Sequence, residues 1–370
     1  MVDYNSDIDE RFMTLTLELA GKGRGKVEPN PMVGAVLVKN GEIIGKGYHH
    51  VFGGAHAEIN AINEASDKCK GAILYVSMEP CAHFGKTAPC VEAIIKAGIT
   101  RVVIAVTDPN PITSGKGIKK LKEAGIEVKT SIMELQAEKL NAPFFKLMQK
   151  GLPYVIVKWA MSLDGKISTH TGDSKWITCE ESRNYVQSIR GQMDGVMVGI
   201  NTVMRDDPLL TCRHKEGKNP KRIVVDSRSS LPLNSRLLKT VCDSDVIVAV
   251  NKSAPEERIK RLEQFGCKIV CTNDLDGRVD LKELFKKLAQ MNMTNILVEG
   301  GGRIITSVFE HKLADKLMVF IAPIIIGGER AISPVLGNGI KKVSEAAEIS
   351  EVVVKRFSND TLIEGILRYK

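Results

Sequence analysis

The feature that most constrains this chain is His56-Ala57-Glu58, followed by Pro80-Cys81 and then Cys90. One imidazole and two thiolates form the ligand set of a catalytic zinc with one position left open for water. Glu58 stands two residues beyond the histidine, close to the metal and not needed as a ligand. A structural zinc knot would show four ligands in two short pairs, whereas this set has three and a glutamate. Two buried thiols beside a surface histidine, without metal, are the remaining alternative.

Histidine-x-glutamate followed by proline-cysteine-x-x-cysteine is the signature of zinc-dependent base deaminases. This chain departs from it in one spacing, since eight residues rather than two separate Cys81 from Cys90. A zinc with three protein ligands makes water a nucleophile at neutral pH. Glu58 can take the water proton and deliver it to a leaving amine, general acid–base work worth roughly 10²–10⁴ in rate.

The first half alternates helix and strand. A helix over 9–20 precedes a strand over 33–39, and Asn40-Gly41 is a hairpin signal. A helix over 56–65 carries the first ligand and the glutamate, and a strand over 73–77 ends just before Pro80-Cys81. Pro89-Cys90 opens a helix over 91–97, and strand, helix and strand follow at 101–106, 117–124 and 126–130. The ligands thus fall at helix starts and past strand ends, where open α/β sheets bind ligands. A helix over 141–150 closes this half, and Gly151-Leu152-Pro153 breaks it. Two domains are expected, 1–150 and 151–370, as the length of 370 residues also suggests.

The second half reads as another α/β sheet. Strands are expected at 154–159, 195–199, 222–226, 246–250, 268–271, 296–299, 316–321 and 362–368, with antiparallel pairing near the end. A helix is expected over 180–192. The apolar run Leu317–Ile326, interrupted by Pro323, is half a membrane span and reads as a buried strand. Gly300-Gly301-Gly302 follows the strand ending at Glu299 and precedes a helix, so its bare N–H groups suit a pyrophosphate. Its spacing is not the dinucleotide G-x-G-x-x-G, and a simple tight turn is the alternative. Gly21-Lys22-Gly23-Arg24-Gly25 follows no strand and reads as a helix exit.

Net charge is +8, but aromatic residues are only 5% of the chain. A single-strand nucleic-acid binder needs stacking platforms beside its basic groove, and the dispersed basic residues here suit small phosphorylated ligands better. Neither nucleic acid nor membrane is an expected partner. The first residues carry no basic start or apolar run. Eight cysteines at this length argue for a reducing compartment, so a cytoplasmic location is expected.

Ordered segments across both halves carry a resemblance. In the first half they are Pro29-Asn30-Pro31-Met32-Val33-Gly34, Gly53-Gly54-Ala55-His56-Ala57-Glu58, Glu79-Pro80-Cys81-Ala82-His83 through Pro89-Cys90, and Asp108-Pro109-Asn110-Pro111. In the second they are Ser162-Leu163-Asp164-Gly165-Lys166, Gly172-Asp173-Ser174-Lys175-Trp176, Val198-Gly199-Ile200-Asn201-Thr202, Asp206-Asp207-Pro208-Leu209-Leu210-Thr211-Cys212-Arg213 and Glu299-Gly300-Gly301-Gly302. The chain resembles the bifunctional riboflavin-biosynthesis deaminase/reductase family over essentially its whole length. The longer cysteine spacing is that family's pattern.

The resemblance implies a cytidine-deaminase-like three-layer domain followed by a dihydrofolate-reductase-like domain, both α/β. It implies one Zn²⁺ per chain and NADPH. The first half would deaminate 2,5-diamino-6-ribosylamino-4(3H)-pyrimidinone 5′-phosphate, and the second would reduce its ribosyl group to ribityl. Asn30, His49, His83, Lys86, Asp108 and Asn110 match deaminase substrate contacts. Ala160, Trp176, Thr202, Asp206, Gly301 and Gly302 match nucleotide positions; Lys158, Ser174, Arg190, Leu210, Arg213 and Glu299 match reductase substrate positions. Taken singly, Trp176 reads as a core aromatic, Arg190 as a helix-surface charge, and Asp108-Pro109-Asn110-Pro111 as a turn. Cys179 stands where the family more often has a small residue, and is expected near the nucleotide. A homo-oligomer is expected. The alternatives are an RNA-editing zinc deaminase with a C-terminal binding domain, and a non-enzymatic zinc module.

Overall fold

The protein is described by a computed structural model covering residues 4–83, 89–214 and 217–370. It divides into two compact units, Met1–Gly151 and Leu152–Lys370.

The first unit runs α1 (Tyr4–Gly21), β1 (Gly34–Lys39), β2 (Glu42–Tyr48), α2 (Ala57–Ala65), β3 (Ile73–Val76), α3 (Cys90–Lys96), β4 (Arg101–Ile104), α4 (Lys116–Glu123), β5 (Glu127–Lys129), α5 (Glu134–Leu140) and α6 (Ala142–Lys150). Its sheet has the order β2-β1-β3-β4-β5, antiparallel around β1 and parallel from β3 to β5. Asn40 and Gly41 take the positive φ angles, 52° and 80°, that the tight β1–β2 turn requires. Strand alternation divides the core. Ala35 and Leu37 pack with Ala57 and Ala61 of α2, Val91 and Ile94 of α3 and Leu121 of α4. Val36 and Val38 pack on the other face with Phe12 and Met13 of α1, Ala137 of α5 and Phe144 of α6. The result is three layers. A Cβ at Gly47 would collide with the Ala57 carbonyl oxygen, so glycine there lets the start of α2 lie directly on β2.

The second unit runs β6 (Tyr154–Ser162), α7 (Glu180–Arg190), β7 (Gly195–Gly199), α8 (Ile200–Asp206), β8 (Lys221–Val225), α9 (Arg236–Lys239), β9 (Val246–Asn251), α10 (Glu256–Gln264), β10 (Lys268–Thr272), β11 (Asp274–Leu275), β12 (Arg278–Val279), α11 (Leu281–Gln290), β13 (Asn295–Glu299), α12 (Gly302–Glu310), β14 (Lys316–Ala322), β15 (Glu348–Phe357) and β16 (Asp360–Arg368). The main sheet has the order β10-β9-β8-β7-β13-β6-β14-β16-β15. Pairing is parallel from β10 to β14 and antiparallel through β16 and β15. Val155 and Val157 face the side covered by α11 and α12. Ile156 faces the side covered by α7, α8, α9 and α10.

Elements outside the sequence-based expectation include α5, α8, the short pair β11 and β12, and β15. Strand β15 is exposed along most of its length, and Val352, Val353 and Val354 are 53%, 47% and 59% exposed. An edge strand without a buried face has no alternation to read. The run 317–326 is not one buried strand. Strand β14 stops at Ala322 because Pro323 has no N–H for the ladder, and Ile324 and Ile325 are exposed. No helix among the described residues is long and apolar enough to cross a membrane.

Candidate active sites

His56 is the N-cap of α2, in extended conformation, so its ring leaves the helix while Glu58 enters the first turn. Cys81 lies on the turn beyond β3, and Cys90 is the first residue of α3, fully buried. Chain order separates these residues; the sheet brings them together. His56 Nδ1 lies 3.2 Å from Cys90 Sγ and 3.5 Å from Cys81 Sγ, and all three donor atoms fall within 4.8 Å of one another. Tetrahedral zinc with Zn–S near 2.3 Å and Zn–N near 2.0–2.1 Å places sulfur and nitrogen about 3.6 Å apart. The donor set fits zinc in chemistry and in spacing.

The electrostatics are those of a proton-sharing centre. The hydrogen bond from Cys90 pulls the Cys81 thiol well below its ordinary range, against the cost of burial. The same hydrogen bond and burial push Cys90 up, and the bond to Cys81 raises His56. Burial lifts the Glu58 carboxyl to about 7. Its Oε2 is buried without a hydrogen-bond partner. An orphaned carboxylate oxygen beside an open metal position is equipped to exchange a proton with a bound molecule.

A cavity of about 310 Å³ opens on this centre, and Asn30, His49, His83, Asp108 and Asn110 line it with His56 and Cys81. Lys86 lies outside the described residues. His49 Nδ1 is 3.0 Å from the Ala55 carbonyl, which can only accept, so Nε2 is the acceptor for the Asn30 amide at 3.3 Å. Burial lowers the His49 pKa, keeping the ring neutral. Burial raises the Asp108 carboxyl; the Asn110 N–H donates to its Oδ1 at 2.9 Å and the Thr113 hydroxyl to its Oδ2 at 2.6 Å. The turn sequence therefore places the Asp108 carboxyl, raised by burial, on the cavity lining. Sequence reasoning assigned no role to Phe52, which adds an apolar wall, or to Glu79, whose contacts are described below.

A larger cleft, about 1420 Å³, lies in the second unit. It is lined by all twelve residues singled out there, from Lys158 and Ala160 on β6 to Gly301 and Gly302 before α12. Gly300 and Gly301 adopt φ of 72° and 82°, and no side chain caps α12, so its first N–H groups face the cleft as an anion seat. Thr202 and Asp206 lie on α8. Arg190 is not a helix-surface charge. It is held against Glu299 by Nε–Oε1 and Nη2–Oε2 hydrogen bonds of 2.6 and 2.9 Å, with Lys158 Nζ 3.9 Å from the same carboxylate. Burial lowers the Lys158 pKa.

Trp176 is not a core aromatic: it is 66% exposed, with the Arg183 guanidinium 4.4 Å from its ring centroid. Cys179 caps α7 and its Sγ meets Ser182 and the Phe357 carbonyl, outside the cleft lining. Arg205, Arg228, Arg236 and Arg278 also line the cleft. None of their guanidinium groups has a hydrogen bond or ion pair among the described residues. The Val279 N–H donates to Ser227 Oγ at 3.1 Å, which ties the segment carrying Arg278 to the one carrying Arg228. Isolated arginines carry no motif, so only the fold assembles this wall.

Two family models divide the chain between them. The cytidine and deoxycytidylate deaminase zinc-binding region matches residues 6–106, and the RibD C-terminal domain matches residues 153–363. The riboflavin biosynthesis protein RibD of Aquifex aeolicus is 42% identical over 96% of this chain and 98% of its own length. A structure of Acinetobacter baumannii RibD superposes with a TM-score of 0.88 at 34% identity, covering 98% of this chain and 99% of that one. The diaminohydroxyphosphoribosylaminopyrimidine deaminase/5-amino-6-(5-phosphoribosylamino)uracil reductase of Thermotoga maritima gives a TM-score of 0.85 at 36% identity, over 99% of this chain and 100% of that one. With a deaminase-like first unit and a reductase-like second, the chain belongs to the RibD family of bifunctional riboflavin-biosynthesis enzymes.

Proposed function

We propose that residues 1–150 deaminate 2,5-diamino-6-ribosylamino-4(3H)-pyrimidinone 5′-phosphate and that residues 151–370 reduce the ribosyl group of the product to ribityl. The observation that carries this reading is the convergence of His56 Nδ1, Cys81 Sγ and Cys90 Sγ within 4.8 Å, with a buried Glu58 whose Oε2 has no hydrogen-bond partner. One zinc per chain would be held by those three residues and would supply a Lewis acid that activates water. Glu58 takes a proton from the attacking water and returns it to the ring amine, which leaves as ammonia while oxygen takes its place. Burial raises its pKa, which favours holding the proton between the two transfers. Asn30, His49, Asp108 and Asn110 hold the pyrimidine, and His83 meets its phosphate or ring oxygen, a role the resemblance also gives to Lys86.

In the second cleft NADPH supplies the hydride. Ala160, Trp176, Thr202, Asp206 and the turn at Gly301 and Gly302 hold the nucleotide, with its pyrophosphate at the start of α12. Strand β8 lies two strands from β13, about 10 Å across the sheet. That offset supports Arg228 and Arg278 as the seat of the adenosine 2′-phosphate, favouring NADPH over NADH. Lys158, Ser174, Arg190, Leu210, Arg213 and Glu299 hold the sugar phosphate substrate. The exposed edge strand β15 supports a homo-oligomer, which sedimentation of the full chain tests.

An RNA-editing deaminase is not favoured, because full-length relatives share both halves with this chain. The proposal is tested by mass spectrometry of the purified chain with the diaminopyrimidine ribosyl phosphate. Without NADPH the substrate exchanges an amine for oxygen; with NADPH the product also gains two hydrogens. Hydrogen gain without prior deamination, or no turnover at all, would contradict the assignment.

A further inference from the structure

We infer that Glu79 is the positioning residue that sets the substrate loop at Asp108–Thr113 in register with the metal-ligand turn at Pro80-Cys81. The inference rests on the deaminase reading of the first cavity. Glu79 sits on the ligand turn, and its N–H donates to the Val106 carbonyl at 2.9 Å. Its side chain is buried, only 6% exposed, and accepts four backbone hydrogen bonds. Oε1 accepts from Gly117 at 2.8 Å and Ile118 at 3.2 Å; Oε2 accepts from Gly115 at 2.9 Å and Asp108 at 3.3 Å.

Helix α4 explains why a carboxylate is needed. Its N-cap is Gly115, which has no side chain to cap with, and its first turn holds no acidic residue. Glu79 supplies from a distant part of the chain the acceptor and the negative charge that this helix start lacks. Two further contacts lock the same joint. A Cβ at Gly117 would collide with the Pro80 carbonyl oxygen, and Lys120 Nζ donates to the Ala82 carbonyl at 3.0 Å. The ligand turn and the start of α4 thus touch on both sides of Cys81.

The loop at 108–113 hangs from this joint. Its first N–H is held by Glu79, and Asp108 then fixes the amide of Asn110 and the hydroxyl of Thr113. Asp108 and Asn110 line the cavity beside Cys81, so one carboxylate sets their distance from the metal ligands. Among the described residues Glu79 has no cationic partner. A buried carboxylate satisfied only by N–H groups of the loop and α4 fixes geometry in a way an apolar side chain of that size does not.

The test uses the full chain loaded with zinc. Glu79→Gln keeps the volume and directs an amide NH₂ at N–H groups that need an acceptor. It should raise the deaminase KM by about tenfold or more while kcat stays within about threefold, the mark of misplaced substrate contacts. Zinc content and NADPH oxidation on the deaminated substrate should match the unsubstituted chain. Gly117→Ala strains the joint from the α4 side and should give the same KM-led change. It decides the matter if the Gln variant does not fold. Unchanged KM in the variants that fold, or loss of zinc together with kcat, would overturn the inference, the latter making Glu79 a support of the metal turn alone. If the unsubstituted chain failed to deaminate, the reading of the cavity itself would fall.

Discussion

Arg190 binds Glu299 through two parallel hydrogen bonds, 2.6 and 2.9 Å long, across a sequence gap of 109 residues. The pair joins α7 to the end of β13 inside the larger cleft. Burial alone would raise the Glu299 pKa, but Arg190 and Lys158 outweigh it and hold the carboxyl at about 2, below its ordinary 4.5. A depressed carboxylate stabilises the fold above its unfolded pKa and loses that contribution as pH falls through the folded one. The stability from Glu299 should therefore be complete above about pH 4.5 and disappear towards about pH 2. The shift corresponds to about 3 kcal/mol. Both tryptophans, Trp159 and Trp176, lie in the second unit, so their fluorescence in urea reports its unfolding. The gap in stability between the unsubstituted chain and Glu299→Gln should shrink as pH falls through that window. A gap independent of pH would mean that Glu299 is not ionised through this pair.

Removing a thiolate should uncouple the halves. Cys81→Ser or Cys90→Ser takes away one of three protein ligands, so bound zinc and deaminase activity should fall together. NADPH oxidation on the deaminated substrate should persist, because the second cleft is lined wholly by residues of the second unit. Metal analysis of the double variant checks this. A full equivalent of zinc there would point to other ligands.

Two sets of arginines in the larger cleft should answer to different ligands. Arg228→Ala and Arg278→Ala should weaken NADPH binding by about tenfold to a hundredfold, the worth of a charge-assisted hydrogen bond, and leave NADH almost unchanged. Arg213→Ala should instead raise the KM of the sugar phosphate substrate more than that of NADPH. Fluorescence titration with the two nucleotides, beside steady-state kinetics, separates these effects. An Arg213 effect confined to NADPH would redraw the division of the cleft.

Much of this was legible in the sequence because it is local. Asn40-Gly41 turns the hairpin, Pro89-Cys90 opens α3, and the spacing from His56 to Glu58 puts ligand and carboxylate on one helix start. Arg190 and Trp176 show where local reading fails: each environment is set by partners distant in the chain or by a cleft that only the fold creates. Glu79 was hidden for the same reason, since its four donors lie 29 to 39 residues further along the chain. Strand β15 was missed because solvent on its exposed faces imposes no alternation.

The most direct measurement is made on one zinc-loaded variant, Glu58→Gln. It removes the proton carrier and no metal ligand, so zinc content should stay at one per chain while deamination falls by roughly 10²–10⁴. Reduction of the deaminated substrate by the same protein should be unchanged. Deamination at the unsubstituted rate in zinc-loaded Glu58→Gln would contradict the account.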